Sequence, residues 1–96
     1  MHAVVRKYSG AGSQQLLDLL TERKAEVEVL LRSVPGLVSY TMLRSGDGGV
    51  TVTVCQDKAG TDESVRIARE WMQKNASSIG ANPPAVSEGA VVLHLK

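Results

Sequence analysis

The chain has 96 residues, of which 43% are apolar and 22% are charged, and this composition predicts one folded domain over residues 1–96 rather than a disordered chain. Eleven basic and ten acidic side chains leave a formal charge of +1, so we expect no basic surface that attracts nucleic acid. No stretch approaches the roughly 18 apolar residues of a membrane span, and the first residues do not resemble a signal peptide, so we expect no membrane partner and a cytoplasmic location.

The first half of the chain predicts a strand, a helix and a hairpin. Residues 2–8 are rich in β-formers and stop at the small residues 9–12, which suit a tight connection. From 14 to 34 apolar residues recur at three- and four-residue spacing, which predicts one amphipathic helix with Ser13 as its cap and Pro35-Gly36 at its end. Two strand-like runs follow, at 37–44 and 50–56, and the loop between them suits an antiparallel hairpin.

The second half predicts a helix, a loop and a strand. We expect Thr61 to cap the helix, with Asp62 and Glu63 at the positive end of its dipole. One apolar stripe faces inward: Val65, Ala68, Trp71, Met72 and Ala76. Residues 76–84 then form a loop, and residues 90–95 supply a last strand. The order predicts a ferredoxin-like βαββαβ fold of the α+β class, a four-stranded antiparallel sheet with two helices on one face.

The faces of the predicted sheet indicate a partner. Successive side chains of a strand point to opposite faces. The third strand therefore has a valine face and a small, weakly polar face: Val50, Val52 and Val54 against Thr51, Thr53 and Cys55. Neither face carries the Lys, Glu or Arg that a solvated face normally has. Because two helices cover only one face, we predict a homodimer through the open sheet face.

Few side chains are candidates for chemistry. Trp71, the only tryptophan, suits either a core plug or the wall of a pocket for an aromatic ligand. Tyr40 could donate a hydrogen bond to a substrate oxygen or serve only strand packing. His94 could be a base near neutral pH, although a histidine without an acidic or cysteine partner is usually structural or exposed. Asn75, on the same helical face as Trp71, could orient a ligand carbonyl or end the helix.

The histidines and the cysteine do not predict a metal site. His2 and His94 lie near opposite ends of the chain, and no carboxylate cluster accompanies them. Cys55 is the only cysteine, which excludes an internal disulfide and agrees with a reducing compartment. In a predicted strand it is expected to be a small buried group rather than a reactive thiolate. We therefore expect no metal and no cofactor.

A short segment after the first helix carries a resemblance to a known family. Residues 35–40, Pro-Gly-Leu-Val-Ser-Tyr, resemble the dimeric α+β barrel superfamily, in particular its antibiotic-biosynthesis-monooxygenase-like group. Residues 47–55 and 61–64, with Glu70-Trp71, look like small uncharacterised bacterial proteins of that fold. The resemblance implies a homodimer whose sheets face each other as a barrel, with a cavity in each subunit between sheet and helices. Some members oxidise aromatic polyketides or quinols without metal or flavin, and others degrade haem.

The chain departs from both kinds of enzyme in that group. Haem-degrading relatives have a histidine beyond the helix tryptophan, where residues 77–81 of this chain read Ser-Ser-Ile-Gly-Ala. Oxygenase-like members often have a histidine in the second helix, and none occurs between Thr61 and Ala76. Of the residues that this group has in its sites, this chain matches only Tyr40 and Trp71. The resemblance therefore disfavours haem degradation and leaves oxygenase activity open.

The sequence leads to a ligand-binding hypothesis with open alternatives. The resemblance implies a small apolar or aromatic ligand, for which four side chains are candidate contacts: Trp71, Asn75, Met42 and Met72. If the protein is a cofactor-independent oxygenase, Tyr40 and His94 are its candidate catalytic residues. The rival hypothesis is a non-catalytic dimer that binds a ligand or a protein partner. A fully filled core would favour the dimer that serves only interaction. A regulatory amino-acid-binding domain of the same topology is a third reading.

Overall fold

The fold is a four-stranded antiparallel sheet with three helices on one face, in a computed structural model that describes all 96 residues. The elements in chain order are β1 (His2–Tyr8), α1 (Ser13–Glu22), α2 (Lys24–Arg32), β2 (Leu37–Ser45), β3 (Gly48–Cys55), α3 (Lys58–Asn75) and β4 (Ala85–Ala90). The strands lie in the order β2-β3-β1-β4, and all neighbours are antiparallel. The predicted ferredoxin-like class is thus confirmed, with α1 and α2 in the place of the first predicted helix.

The two sheet faces are of different kinds. Tyr8, Thr51 and Thr53 are buried beneath the helices. By strand alternation, Val5 and Val52 lie on the face that no helix covers. The weakly polar set of β3 therefore faces the helices, and the valine set forms the open face.

The first predicted helix is broken at Arg23, whose φ of −104° and ψ of 26° leave the helical region. Backbone bonds continue across the break, because Arg23 N donates to the Leu19 carbonyl and Val27 N donates to the Arg23 carbonyl. The start also differs. Gly12, with φ of +78°, is the cap residue, and the Ser13 hydroxyl lies 2.8 Å from two loop carbonyls, to which its single proton can donate, instead of capping the helix.

The third helix begins earlier than predicted. Asp57 is its cap, because its side chain accepts a hydrogen bond from Gly60 N at 3.0 Å. Thr61, the expected cap, lies inside the helix, where it is 1% exposed and donates to the Lys58 carbonyl. Asp62 accordingly pairs with Lys58 instead of lying at the helix start. The prediction of the Thr61 cap was wrong because strand β3 ends at Cys55 and the helix follows almost at once.

The last strand lies earlier than predicted, at Ala85–Ala90 instead of 90–95. It pairs with β1 from His2 opposite Ala90 to Lys7 opposite Ala85. After Ala90 the chain runs past the start of β1, and one bond remains, from Val91 N to the Met1 carbonyl. Three apolar side chains of this terminal segment are then largely exposed: Val92, Leu93 and Leu95.

Candidate functional site

A small cavity lies between the helices and the sheet, beside Trp71. Its volume of about 30 Å³ corresponds to roughly one water molecule. The sheet contributes Arg6, Tyr8, Tyr40, Thr51 and Thr53, and the helices contribute Leu20, Val27, Leu30, Leu31, Ser64, Ala68, Trp71 and Met72. We call this space the inner cavity. The core is thus nearly but not completely filled, so an organic ligand enters it only if side chains move.

Two larger grooves adjoin the inner cavity. The β4 groove, about 400 Å³, lies between α3, the turn that follows it, β1 and β4. It shares Arg6, Tyr8 and Met72 with the inner cavity, so these three side chains stand between the two spaces. Because a methionine side chain is flexible, Met72 can change its position between the two spaces.

The second groove, the β2 groove of about 510 Å³, lies between α2 and β2. It shares Tyr40 with the inner cavity, and Met42 lines only the groove. Its rim is charged, with Glu28 and Arg32 paired at 2.9 Å. This groove is therefore the more solvated of the two.

Trp71 is both a core residue and a wall of the inner cavity. It is 8% exposed, and its indole N–H donates to Glu26 Oε1 at 2.9 Å. The Arg23 guanidinium lies 6.0 Å from its ring centre, and Asn75 accepts from Arg23 at 2.8 Å while donating to the Trp71 carbonyl at 3.0 Å. Asn75 does not line the cavity and instead positions Arg23. The indole donor is already used, so Trp71 offers a ligand its ring face only.

Tyr40 is a proton donor at neutral pH. Burial, with the nearby Tyr8, raises the pKa of Tyr40 to about 12, and Arg6 and Thr51 offset part of this effect. Burial also raises the pKa of Tyr8, again partly offset by Arg6. Both phenols therefore keep their protons well above neutral pH. In the inner cavity Tyr40 can donate a hydrogen bond to a ligand oxygen, but it cannot serve as a base.

Arg6 is a site residue that the sequence analysis missed. It lies on the helix-covered face of β1, between Val4 and Tyr8, and its guanidinium carbon is 5.6 Å from the Tyr8 ring centre. Its Nε is buried and has no hydrogen-bond partner. The signal was available in the sequence, because strand alternation places Arg6 on the same face as two apolar neighbours.

His94 does not join the predicted site. It lies in the terminal segment after β4, outside any strand, and lines neither the inner cavity nor the two grooves. The strand predicted at 90–95 lies at Ala85–Ala90 instead, and the catalytic role of His94 stays a prediction. His2 is used within the fold, where Nδ1 bonds to the Thr61 hydroxyl at 2.8 Å and Nε2 lies 3.5 Å from Glu88.

Comparison with known proteins gives the class of fold. No family model matches the chain, and no curated protein matches it. Among solved structures, a protein of unknown function from Nitrosomonas europaea, NE2512, aligns with 99% of this chain and 91% of its own, at 18% identity and a TM-score of 0.72. A dimeric ferredoxin-like protein from an uncultured marine organism aligns with 98% of this chain and 95% of its own, at 14% identity and 0.67.

Two enzymes have the same fold. MhuD of Mycobacterium tuberculosis, a haem degrader, aligns with 99% of this chain and 98% of its own, at 19% identity and a TM-score of 0.64. The ActVA-Orf6 monooxygenase of Streptomyces coelicolor, solved with nanaomycin D, aligns with 97% of this chain and 90% of its own, at 20% identity and 0.58. The chain therefore has the ferredoxin-like fold that these proteins share, and the fold implied by the resemblance of residues 35–40 is confirmed.

No α-helix of the structure combines the length and the apolar character needed to cross a membrane.

Proposed function

We propose that this protein is a homodimer that binds a small aromatic ligand between its sheet and α3. The observation that carries the proposal is that Tyr40, Trp71 and Met72 line one apolar cavity, which shares Arg6, Tyr8 and Met72 with the β4 groove. A groove of about 400 Å³ lies within the usual size of small-molecule sites. Displacement of Met72 would join the groove to the Trp71 ring face. The ligand would then stack on Trp71 and accept a hydrogen bond from Tyr40.

The homodimer rests on the open face of the sheet. Valines from two central strands lie there: Val5, Val50 and Val52 are partly exposed, and Val54 is already buried within the single chain. Lys7 is the only charged residue that β1 and β3 place on this face. A continuous apolar face with so little charge is typical of an interface. The dimeric neighbour of the same fold is consistent with this use, and the exposed apolar segment after β4 extends the apolar surface available to a second copy.

Binding without catalysis is the reading that the cavity favours. Neither the inner cavity nor the β4 groove is lined by a histidine or a carboxylate that could take a proton from a substrate. Haem degradation is not favoured either, because no lining histidine is available as an axial ligand.

A cofactor-independent oxygenase is the second candidate. The fold shared with the ActVA-Orf6 monooxygenase favours it, together with the half-buried Tyr40, whose raised pKa keeps its phenol protonated. In this case Tyr40 would stabilise negative charge on a substrate oxygen by hydrogen bonding. His94 stays a candidate base only if dimer formation brings it to the cavity.

The test is a fluorescence titration of Trp71 in the purified protein with phenols, quinols and haem, with oxygen uptake followed in the same samples. A saturable change without oxygen uptake is expected for a binding protein, and the same change with uptake would establish the oxygenase. Ala68→Leu fills the inner cavity, so it should weaken binding about tenfold or more. Val29→Leu, at a largely exposed position of α2, is the matched control. A wild-type protein that responds to no aromatic ligand would refute the proposal.

A further inference from the structure

The strongest unexplained feature of the molecule is the charge of Arg6. It lies on β1, a central strand, and it makes no salt bridge. Its Nε is buried without any hydrogen-bond partner. Arg6 as a whole is partly exposed, but a buried donor atom without a partner is unfavourable. The fold therefore retains at this position a cation that nothing in the chain neutralises.

The surroundings of Arg6 contain a second unpaired cation. Arg69 also lines the β4 groove and makes no salt bridge, although Arg66 on the same helix is bound by Glu63 and Glu70. No aspartate or glutamate lines either the groove or the inner cavity. The acidic residue of β4, Glu88, is already shared between His2 and Lys58 at 3.5 Å each. The groove is thus a cationic cleft with apolar walls.

We infer that the ligand of this site is an anion, a small aromatic carboxylate whose carboxyl group is bound by Arg6 in the β4 groove. The inference rests on the proposed function, since it names the chemical class of ligand for that same site. A guanidinium presents a planar pair of donors that matches a carboxylate, and Arg6 lines both the β4 groove and the inner cavity. Its Nε, buried and unpartnered in this structure, would complete such a pair once Met72 moves aside. The aromatic part would lie against Tyr8 and Met72, towards Trp71.

The test compares naphthylacetate with naphthylacetamide, which have nearly the same shape but differ in charge. Binding is followed by Trp71 fluorescence and, independently, by the shift of the thermal unfolding midpoint. The wild-type protein should bind the acid at least about tenfold more tightly than the amide, the size expected of a charge-assisted hydrogen bond. Arg6→Gln should abolish the preference for the acid over the amide. Arg66→Gln, which removes a paired arginine from the exposed side of α3, should keep the full preference.

Each outcome decides the inference. Equal binding of acid and amide by the wild type would overturn the anion site and leave the proposed function standing. Acid binding that depends on Arg6 but leaves Trp71 fluorescence unchanged would support the anion site and refute the Trp71 cavity. If neither compound binds, both fail. Tighter binding of naphthyl phosphate than of naphthylacetate would overturn the assignment to a carboxylate. Should Arg6→Gln not fold, Arg6→Lys, which keeps the charge and loses the planar pair, should reduce the preference without abolishing it, and an unchanged preference would overturn the role of Arg6.

Discussion

At the scale of single residues, the protonation of Tyr40 is the property most open to measurement. Its pKa is raised to about 12, mainly by burial. Between about pH 10 and pH 12 the folded chain therefore keeps a phenolic proton that the unfolded chain has lost. Stability from this group is complete below about pH 10 and falls as the pH rises towards 12. We expect a loss of about 2 kcal/mol over that range.

The Tyr40→Phe variant isolates this contribution from other groups that ionise at high pH. Urea unfolding of both proteins from pH 9 to pH 12 should show their difference in stability changing only above about pH 10. The tyrosinate absorbance of the wild type should show one late transition that the variant lacks. Parallel stability curves for the two proteins would mean that Tyr40 ionises as a solvated phenol.

The candidate site was predictable only in part at this scale. Tyr40, Trp71 and Met72 were chosen from their residue types and inward positions, and the structure brings them to one cavity. Asn75 lies on the same helical face as Trp71, as predicted. Helix periodicity cannot show that its amide oxygen accepts a hydrogen bond from Arg23. His94 was misplaced because its position depended on a strand boundary. Arg6 was passed over because arginine on a strand is usually read as solvated.

At the scale of elements, the cap of α3 is a local interaction with a defined cost. Asp57 Oδ1 accepts the Gly60 N–H at 3.0 Å, which satisfies one of the free donors at the helix start. Asp57→Ala should lower the free energy of unfolding by about 1 kcal/mol, and Asp57→Ser should restore most of it. Chemical denaturation at neutral pH measures both. Equal stability of Asp57→Ala and the wild type would show that the helix start does not depend on this bond.

The type of each element with a periodic pattern was predicted well, but the residues at which several elements begin and end were not. β1 was predicted with its observed bounds, and the hairpin lies where glycines and alternation placed it. The predicted position of β4 was wrong because Ser87, Glu88 and Gly89 look like a loop in the sequence. The position of β4 is decided instead by its pairing with β1, a strand of seven residues. The break at Arg23 was also hidden, since no proline or glycine marks it in the sequence and the contacts of Arg23 with Asn75 and the Trp71 ring are far away along the chain.

At the scale of the whole molecule, the open valine face determines the oligomeric state that we expect. In the proposed dimer Val52→Glu would bury an unpaired charge at the centre of the interface, which costs several kcal/mol. The dissociation constant should rise by about a hundredfold or more. Sedimentation of the wild type should report a dimer and that of the variant a monomer, while Val29→Glu on the exposed side of α2 should stay dimeric. A wild type that sediments as a monomer at all concentrations would refute the interface.

Because α3 packs closely on the sheet, the reactivity of the single thiol of the chain reports local opening of this helix. Cys55 is wholly buried, and a side chain at Gly60 would come within 2.8 Å of its Cβ. Burial, together with the charge of Asp57, also raises the thiol pKa. A thiol reagent can therefore reach the sulfur only in molecules whose α3 has lifted from β3, so the speed of modification counts that rare open population. Any compound that binds between α3 and the sheet will lower the rate of Cys55 modification, whether or not the compound is chemically transformed.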